Sequence, residues 1–238
     1  MQEIVLRSDV TVELVKQAAS DADVIWAARV STLGEQSRAE IDAEPDRSAG
    51  LINFLMRDRH GTPFEHSSMT FYVQAPIFVF REFMRHRTFS YNEESGRYRQ
   101  LDAVFYVPGS DRPLVQTGKP GAYEFTGGTA AQHALVNETF RRSCSQAYAP
   151  YVQMLDAGVA REVARGVLPL SLYSSMYATC NPRALMNFLA LRTRRPGAAF
   201  PSFPQREIEM VAEKMEAEWA ALMPITHAAF ERNGRVCP

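Results

Sequence analysis

Between Phe71 and Arg97 the sequence changes character in a single step. A mostly apolar run ends at Met84, and the next thirteen residues read RHRTFSYNEESGR. The first stretch has the makings of a core element. The second holds Arg85, His86, Arg87, Ser90, Asn92, Glu93, Glu94, Ser95 and Arg97. A fold that buries the one must deliver the other to the edge of its core. Cations, hydroxyls and carboxylates interleaved in this way suit a ligand carrying both phosphates and polar rings, because arginine forks match phosphate oxygens and imide or carboxylate edges.

The flanking segments read as a scaffold for that stretch. Glu3–Arg7 has the look of a short strand, and Ser8 and Asp9 are placed to cap a helix carrying Val12, Leu14, Val15 and Ala18. Asp21–Val30 reads as a second helix with Val24, Ile25 and Ala28 inward. Ser31 falls at its end, where a hydroxyl most simply bonds the local backbone. Residues 34–47 are polar and aperiodic and read as a loop. Asp46–Arg59 carries an apolar stripe of Leu51, Ile52, Phe54 and Leu55. Gly61 and Pro63 then turn the chain, with His60, Thr62, Glu65 and His66 about the turn; the spacing lacks the HExxH pattern of a metal site. Met69–Gln74 alternates as a half-buried strand does. Ile77–Met84 reads as a helix with Ile77, Val79, Phe80, Phe83 and Met84 inward, and with Glu82 and Arg85 on one face.

After the polar stretch, residues 98–107 end in a short strand. Residues 108–128, rich in Gly and Pro, read as a long surface excursion. Thr129–Asp156 has helical periodicity, with Leu135 among its inward residues, and Pro150 is expected to kink or divide it. Val159–Val167 reads as a helix with Arg161 and Arg165 on one face, and LSLYSSMYATC as a strand. Asn181 and Pro182 form a helix start, N-cap then first-turn proline. On the helix to Arg192, Arg183 and Asn187 share a stripe, while Arg192 lies about 140° round from Asn187. A Pro-rich loop, an amphipathic helix over Gln205–Leu222 and a tail helix complete the chain. With no repeat and no low-complexity linker, a single α+β domain over residues 1–238 is expected.

Composition narrows the function classes. A net charge of −1 provides no overall basic field for nucleic acid, although RHR, RRS and RTRR keep a nucleic-acid module open as a rival reading. Cys144, Cys180 and Cys237 are far apart and form no CxxC pair, so a reducing, cytoplasmic setting fits best. The opening MQEIVLRSDV has no signal pattern, and no apolar run is long enough to span a membrane.

The polar stretch matches RHRxxSxNxxSxR at Arg85, His86, Arg87, Ser90, Asn92, Ser95 and Arg97, and so resembles the signature of the flavin-dependent thymidylate synthases. ARVS (28–31), HGTPFEH (60–66), VAREVARGVLPL (159–170) and NPRALMNFLALR (181–192) agree with it. The resemblance implies a mixed α/β fold with a central, mostly antiparallel sheet flanked by helices. It implies methylation of dUMP to dTMP, with carbon from 5,10-methylenetetrahydrofolate and reducing equivalents from NADPH through FAD. It places FAD contacts at Ser31, His60, Thr62, Arg85, His86, Arg87, Glu93, Asn181, Arg183 and Asn187. It places dUMP contacts at Glu82, Arg85, Glu93, Ser95, Gly96, Arg97, Arg165 and Arg192. Arg192 matches the arginine that assists ionisation at uracil N3, and the assembly implied is a homotetramer with shared active sites. None of the cysteines has the setting of a nucleophile, in keeping with a flavin mechanism. Another FAD-dependent uracil methylase or a reductase is the alternative.

Overall fold

The computed structural model describes residues 3–34, 45–120 and 122–238. In chain order the strands are β1 Val5–Arg7, β2 Thr11–Ala18, β3 Ser68–Pro76, β4 Ser90–Glu93, β5 Val104–Tyr106, β6 Val115–Lys119, β7 Ala122–Thr126 and β8 Tyr173–Cys180. The helices are α1 Asp21–Leu33, α2 Pro45–Arg57, α3 Ile77–Phe83, α4 Ala130–Asp156, α5 Arg161–Ala164, α6 Pro182–Arg192, α7 Arg206–Leu222 and α8 Pro224–Arg232. Single 3-10 turns cover Thr62–Glu65 and Arg165–Val167. The four-stranded sheet has the order β2-β3-β8-β4, and the class is the expected mixed α/β with flanking helices. Two compact units emerge, each drawn from three separated stretches: Met1–Thr11, Gln74–Met84 and Asn92–Met176, then Val12–Val73, Arg85–Tyr91 and Tyr177–Pro238.

In the first unit β1 runs parallel to β5, Val5 opposite Val104 and Arg7 opposite Tyr106. Its core gathers Leu101, Phe105, Cys144, Tyr148, Tyr151, Ala164 and Leu172. Two tyrosines of α4 clamp one residue there: Tyr148 Oη donates to the Leu101 carbonyl at 2.9 Å, and the Leu101 N–H donates to Tyr151 Oη at 3.0 Å. Each bond contributes about 1 kcal/mol, and an unmet buried partner costs more. Thr129 opens α4 with a capping box to Gln132, and Pro150 does not divide the helix. Residues 108–128 are not a bare excursion. They contain the β6–β7 hairpin, with Val115 opposite Thr126 and Lys119 opposite Ala122. The alternation in VQTGK and AYEFT outweighs the flanking Gly and Pro. Gly118 sits at φ 91°, where a Cβ would lie 2.5 Å from the Ala122 carbonyl oxygen.

In the second unit α1 packs on α2, α2 and α7 pack on α8, and α6 packs on α7. Ile52, Phe64, Phe188, Ile208, Val211, Trp219 and Phe230 are fully buried. Helix α8 starts on Pro224 with no cap of its own. Asp21, in the first turn of α1, supplies one, accepting from the Ile225 and Thr226 N–H groups at 3.0 and 2.8 Å. A carboxylate at a helix N-terminus satisfies open donors and complements the dipole. Glu216 accepts from Arg235 at 2.6 Å and has His227 Nε2 at 3.1 Å, so an arginine supplies the positive charge to this acidic group.

Several elements depart from the sequence reading. Residues 11–18 form β2, not a helix. Asp9, expected as a cap, is held instead by Arg7 through two bonds of 3.0 and 3.1 Å, and Thr11, Val12 and Val15 favour extended backbone. Ser90–Glu93, read as loop, is β4. Phe54, Met84 and Leu135, expected inward, are 43%, 51% and 64% exposed. The loop reading at 34–47 falls mostly outside the described residues. Among the described residues no helix is long and apolar enough to cross a membrane.

Candidate active site

In the second unit, α2 ends by turning the chain sharply into His60. The His60 N–H reaches back to the Leu55 carbonyl at 2.9 Å, and Arg59 takes φ 64°, a position that favours glycine. Arg59 is steadied by a 3.0 Å bond to the Cys237 carbonyl. The turn stacks the His60 ring on Phe54, centroids 5.4 Å apart. Both line a cavity of about 640 Å³ with Ala27, Ala28, Ser31, Thr32, Leu51, Thr62 and Pro63. The expected Ser31, His60 and Thr62 therefore come together on one wall. Ser31 also makes the local bond anticipated for it, its hydroxyl donating to the Ala28 carbonyl at 3.1 Å. Arg29 also lines the cavity, and a cleft that joins apolar walls, hydroxyls, a guanidinium and a ring stack fits a flat polar heterocycle.

Gly61 lies next to Arg183, and a Cβ there would sit 2.6 Å from Arg183 Nε. Arg183 Nε donates to the Pro238 carbonyl at 2.7 Å, and its guanidinium pairs with Glu65. The Asn181 side chain accepts from the Ala184 N–H at 2.8 Å, the N-cap bond expected of it. Asn187 stands exposed among buried neighbours on α6, on the same face as half-buried Arg183. Arg85 and Arg87 are exposed and form no ion pair with any described residue.

His86 differs from its two neighbours. It is 8% exposed, with Phe188 edge-on at 4.9 Å. Arg192 Nε donates to His86 Nε2 at 3.0 Å, and Tyr91 Oη donates to the His86 carbonyl at 2.9 Å. Burial, and after it the Arg192 charge, lowers the imidazole pKa to about 4, so the ring is neutral at ordinary pH.

The first unit holds the other expected residues. Glu93 ends β4 and accepts from Ser174 Oγ at 2.9 Å. Burial holds its carboxyl above the ordinary range; the Ser174 bond opposes this, Glu94 adds to it and Arg165 opposes it. Gly96 is buried, and a Cβ on it would meet Leu101 Cδ1 at 2.8 Å and Arg165 Cδ at 3.3 Å. Only glycine lets the Ser95–Arg97 turn settle on the clamped Leu101. Ser95 Oγ accepts from the Arg97 N–H at 3.3 Å, and exposed Arg97 Nε pairs with Glu162 at 3.0 Å. Glu82 is half-buried in the last turn of α3. Sequence reading missed Ser174, Glu162, Tyr91 and Phe188 as partners. Glu162, three residues from Arg165, and Tyr91, five residues from His86, left a local trace; Ser174 and Phe188 join residues remote in sequence.

Known proteins resemble this chain over nearly its whole length. The family model described as "Thymidylate synthase complementing protein" matches residues 13–225. The flavin-dependent thymidylate synthase of Streptomyces coelicolor is 70% identical over 236 residues, 99% of this chain and 96% of that one. That of Tropheryma whipplei is 59% identical over 234 residues, 98% and 97% of the two chains. Among solved structures, the UMP/dUMP methylase PolB from Streptomyces cacaoi, bound with 5-Br dUMP, superposes with a TM-score of 0.92 at 57% identity, covering 99% of this chain and 100% of that one. The same protein bound with 5-Br UMP gives 0.91. With the family model, the relatives and the fold in agreement, the chain belongs to the flavin-dependent thymidylate synthases.

Proposed function

We propose that this chain methylates dUMP to dTMP reductively, taking the one-carbon unit from 5,10-methylenetetrahydrofolate. The observation that carries this is its likeness, over nearly its whole length, to a methylase bound with 5-Br dUMP. FAD, when bound and reduced by NADPH, supplies the hydride that brings the transferred carbon to the methyl level. The cavity wall of Ser31, His60 and Thr62 fits its rings, and exposed Arg85 and Arg87 suit its diphosphate. His86, Glu93, Asn181, Arg183 and Asn187 complete the cofactor set implied by the family.

The remaining residues act on dUMP. Arg97, Arg165 and Ser95 offer charge-assisted and hydroxyl donors for the phosphate, and Gly96 lets the backbone come close. Glu82, Arg85 and Glu93 complete the contacts. Arg192 remains a cation at neutral pH and cannot serve as an ordinary base. Its role is to stabilise negative charge as uracil N3 ionises and C5 becomes nucleophilic. No cysteine takes part: burial raises the Cys144 and Cys180 thiols above their ordinary range, the reverse of an activated nucleophile. The chain works as one catalytic domain in a cytoplasmic homotetramer whose sites draw on several subunits, without nucleic acid or membrane as partner.

The test is an absorbance spectrum of the purified protein, then anaerobic addition of NADPH with and without dUMP. Flavin bands that bleach faster with dUMP, followed by dTMP on adding the folate, are expected. A protein that neither carries nor takes up flavin would end the reading. A second reading, favoured by the substrates of the PolB neighbour, is that UMP is also accepted; competition between UMP and dUMP at equal concentration measures it.

A further inference from the structure

Along β8, Ser174 falls in line with Met176, Ala178 and Cys180 on the buried face of the strand, and it is 4% exposed. A hydroxyl in such a place costs stability unless it is bonded. Packing alone would be served by an alanine, as at Ala178. The Ser174 hydroxyl gives its proton to Glu93, Oγ donating to Oε1 at 2.9 Å.

Glu93 and Glu94 follow one another at the end of β4, and they are held differently. Glu94 is engaged at both oxygens, Oε1 by Arg99 at 3.0 Å and Oε2 by Ser175 Oγ at 3.4 Å, and its N–H donates to the Ser175 carbonyl at 2.8 Å. It ties the end of β4 to β8. Glu93 is held at Oε1 by Ser174. A carboxylate accepts at two oxygens, so a donor fixed on Oε1 sets the plane of the group and the direction of Oε2. Burial favours the protonated form of Glu93 and the Ser174 bond the ionised one; of the neighbouring charges, Glu94 acts with burial and Arg165 with Ser174.

We propose that Ser174 is a positioning residue for the methylation reaction: its hydroxyl holds Glu93 Oε1 and so presents Oε2 to the bound ligand. This rests on the reading that Glu93 contacts the ligand. Ser174 itself lies outside every sequence block that carries the family resemblance. An ionised Oε2 accepts from a ligand N–H or O–H, and the Ser174 bond supports that form.

The test measures kcat/KM for dUMP against pH, at saturating FAD, NADPH and 5,10-methylenetetrahydrofolate. The wild type is expected to lose activity on the acid side as Glu93 takes up a proton, and Glu93→Gln to lack that limb. Ser174→Ala should lower kcat/KM about 5- to 30-fold at pH 7. It should also move the acid limb to higher pH, because the bond that favours the ionised form is gone. In the Glu93→Gln background the same change should cost about twofold at most, with no limb to move. Ser174→Cys fills nearly the same space with a weak donor and should follow Ser174→Ala. A Ser174→Cys variant of wild-type rate and profile makes the position one of packing and overturns the inference. So does a loss that keeps its size in the Glu93→Gln background. A wild-type profile without an acid limb, or with one that Glu93→Gln leaves in place, overturns the reading of Glu93 and this inference with it. An impaired Glu93→Gln beside a Ser174→Ala of wild-type rate and profile overturns this inference alone.

Discussion

In the first unit, Arg97 and Arg99 face anions of their own: Glu162 at 3.0 Å, and Glu94 and Asp102 at 3.0 Å. In the second, Arg192 faces a neutral imidazole. The difference is one of fixity. The Arg97–Glu162 pair is exposed, and such a pair contributes about 0–1 kcal/mol, so it exchanges partners at little loss. The His86 ring is buried edge-on against Phe188, so its contact with Arg192 Nε is fixed by packing.

The sharpest way to break this contrast is Arg192→Ala. Turnover should fall about 10²- to 10³-fold in a dTMP-formation assay, with flavin content retained. An unchanged rate would leave the second unit with no electrostatic task. Next comes the pH dependence of stability. Folded His86 titrates at about 4 and the unfolded chain at 6.5, so between these values the unfolded state binds the extra proton and stability falls as pH falls. The loss approaches about 3 kcal/mol by pH 4. It is read as a drop in the urea-unfolding midpoint, and His86→Gln should flatten that curve by the same amount.

In the first unit, Arg97→Ala should weaken dUMP binding by about 2 kcal/mol, roughly 30-fold, in a titration at low salt. Unaltered affinity would remove Arg97 from the phosphate. Tyr151→Phe leaves the buried Leu101 N–H without its acceptor and should lower stability by about 1–2 kcal/mol, seen in the melting temperature. The smallest effect sharpens the contrast most: Glu162→Gln releases Arg97 and should lower the KM for dUMP by a factor of about two to five, less so in high salt. A raised KM would mean that Glu162 supports the bound state instead of yielding to it.

What could be read ahead of the structure follows from the range of each interaction. The Asn181 cap, the Ser31 bond and the Thr129 helix start all close within three residues, and each was legible. The reading failed where a distant partner competed with a local pattern. Ser8 and Asp9 look like a helix cap until Arg7 takes the Asp9 carboxylate and β2 pairs into a sheet. The Gly- and Pro-rich stretch looks like a loop until VQTGK and AYEFT pair across it. Phe54 continues an apolar stripe, yet it faces a cavity wall beside His60. The site behaves the same way: the motif residues stood out by type and spacing, whereas Glu162, Ser174 and Phe188, which set their charge and direction, did not.

By itself the sequence determined the family, the helices with local caps and the identity of the polar residues, because these depend on side-chain chemistry and on neighbours within a turn. Only the tertiary structure decided that half-buried Glu93 meets Ser174, that Gly96 rests on a clamped Leu101, and that Arg192 meets a neutral His86. Burial and partners from 47 to 106 residues away set those states, and no local pattern encodes a contact of that range.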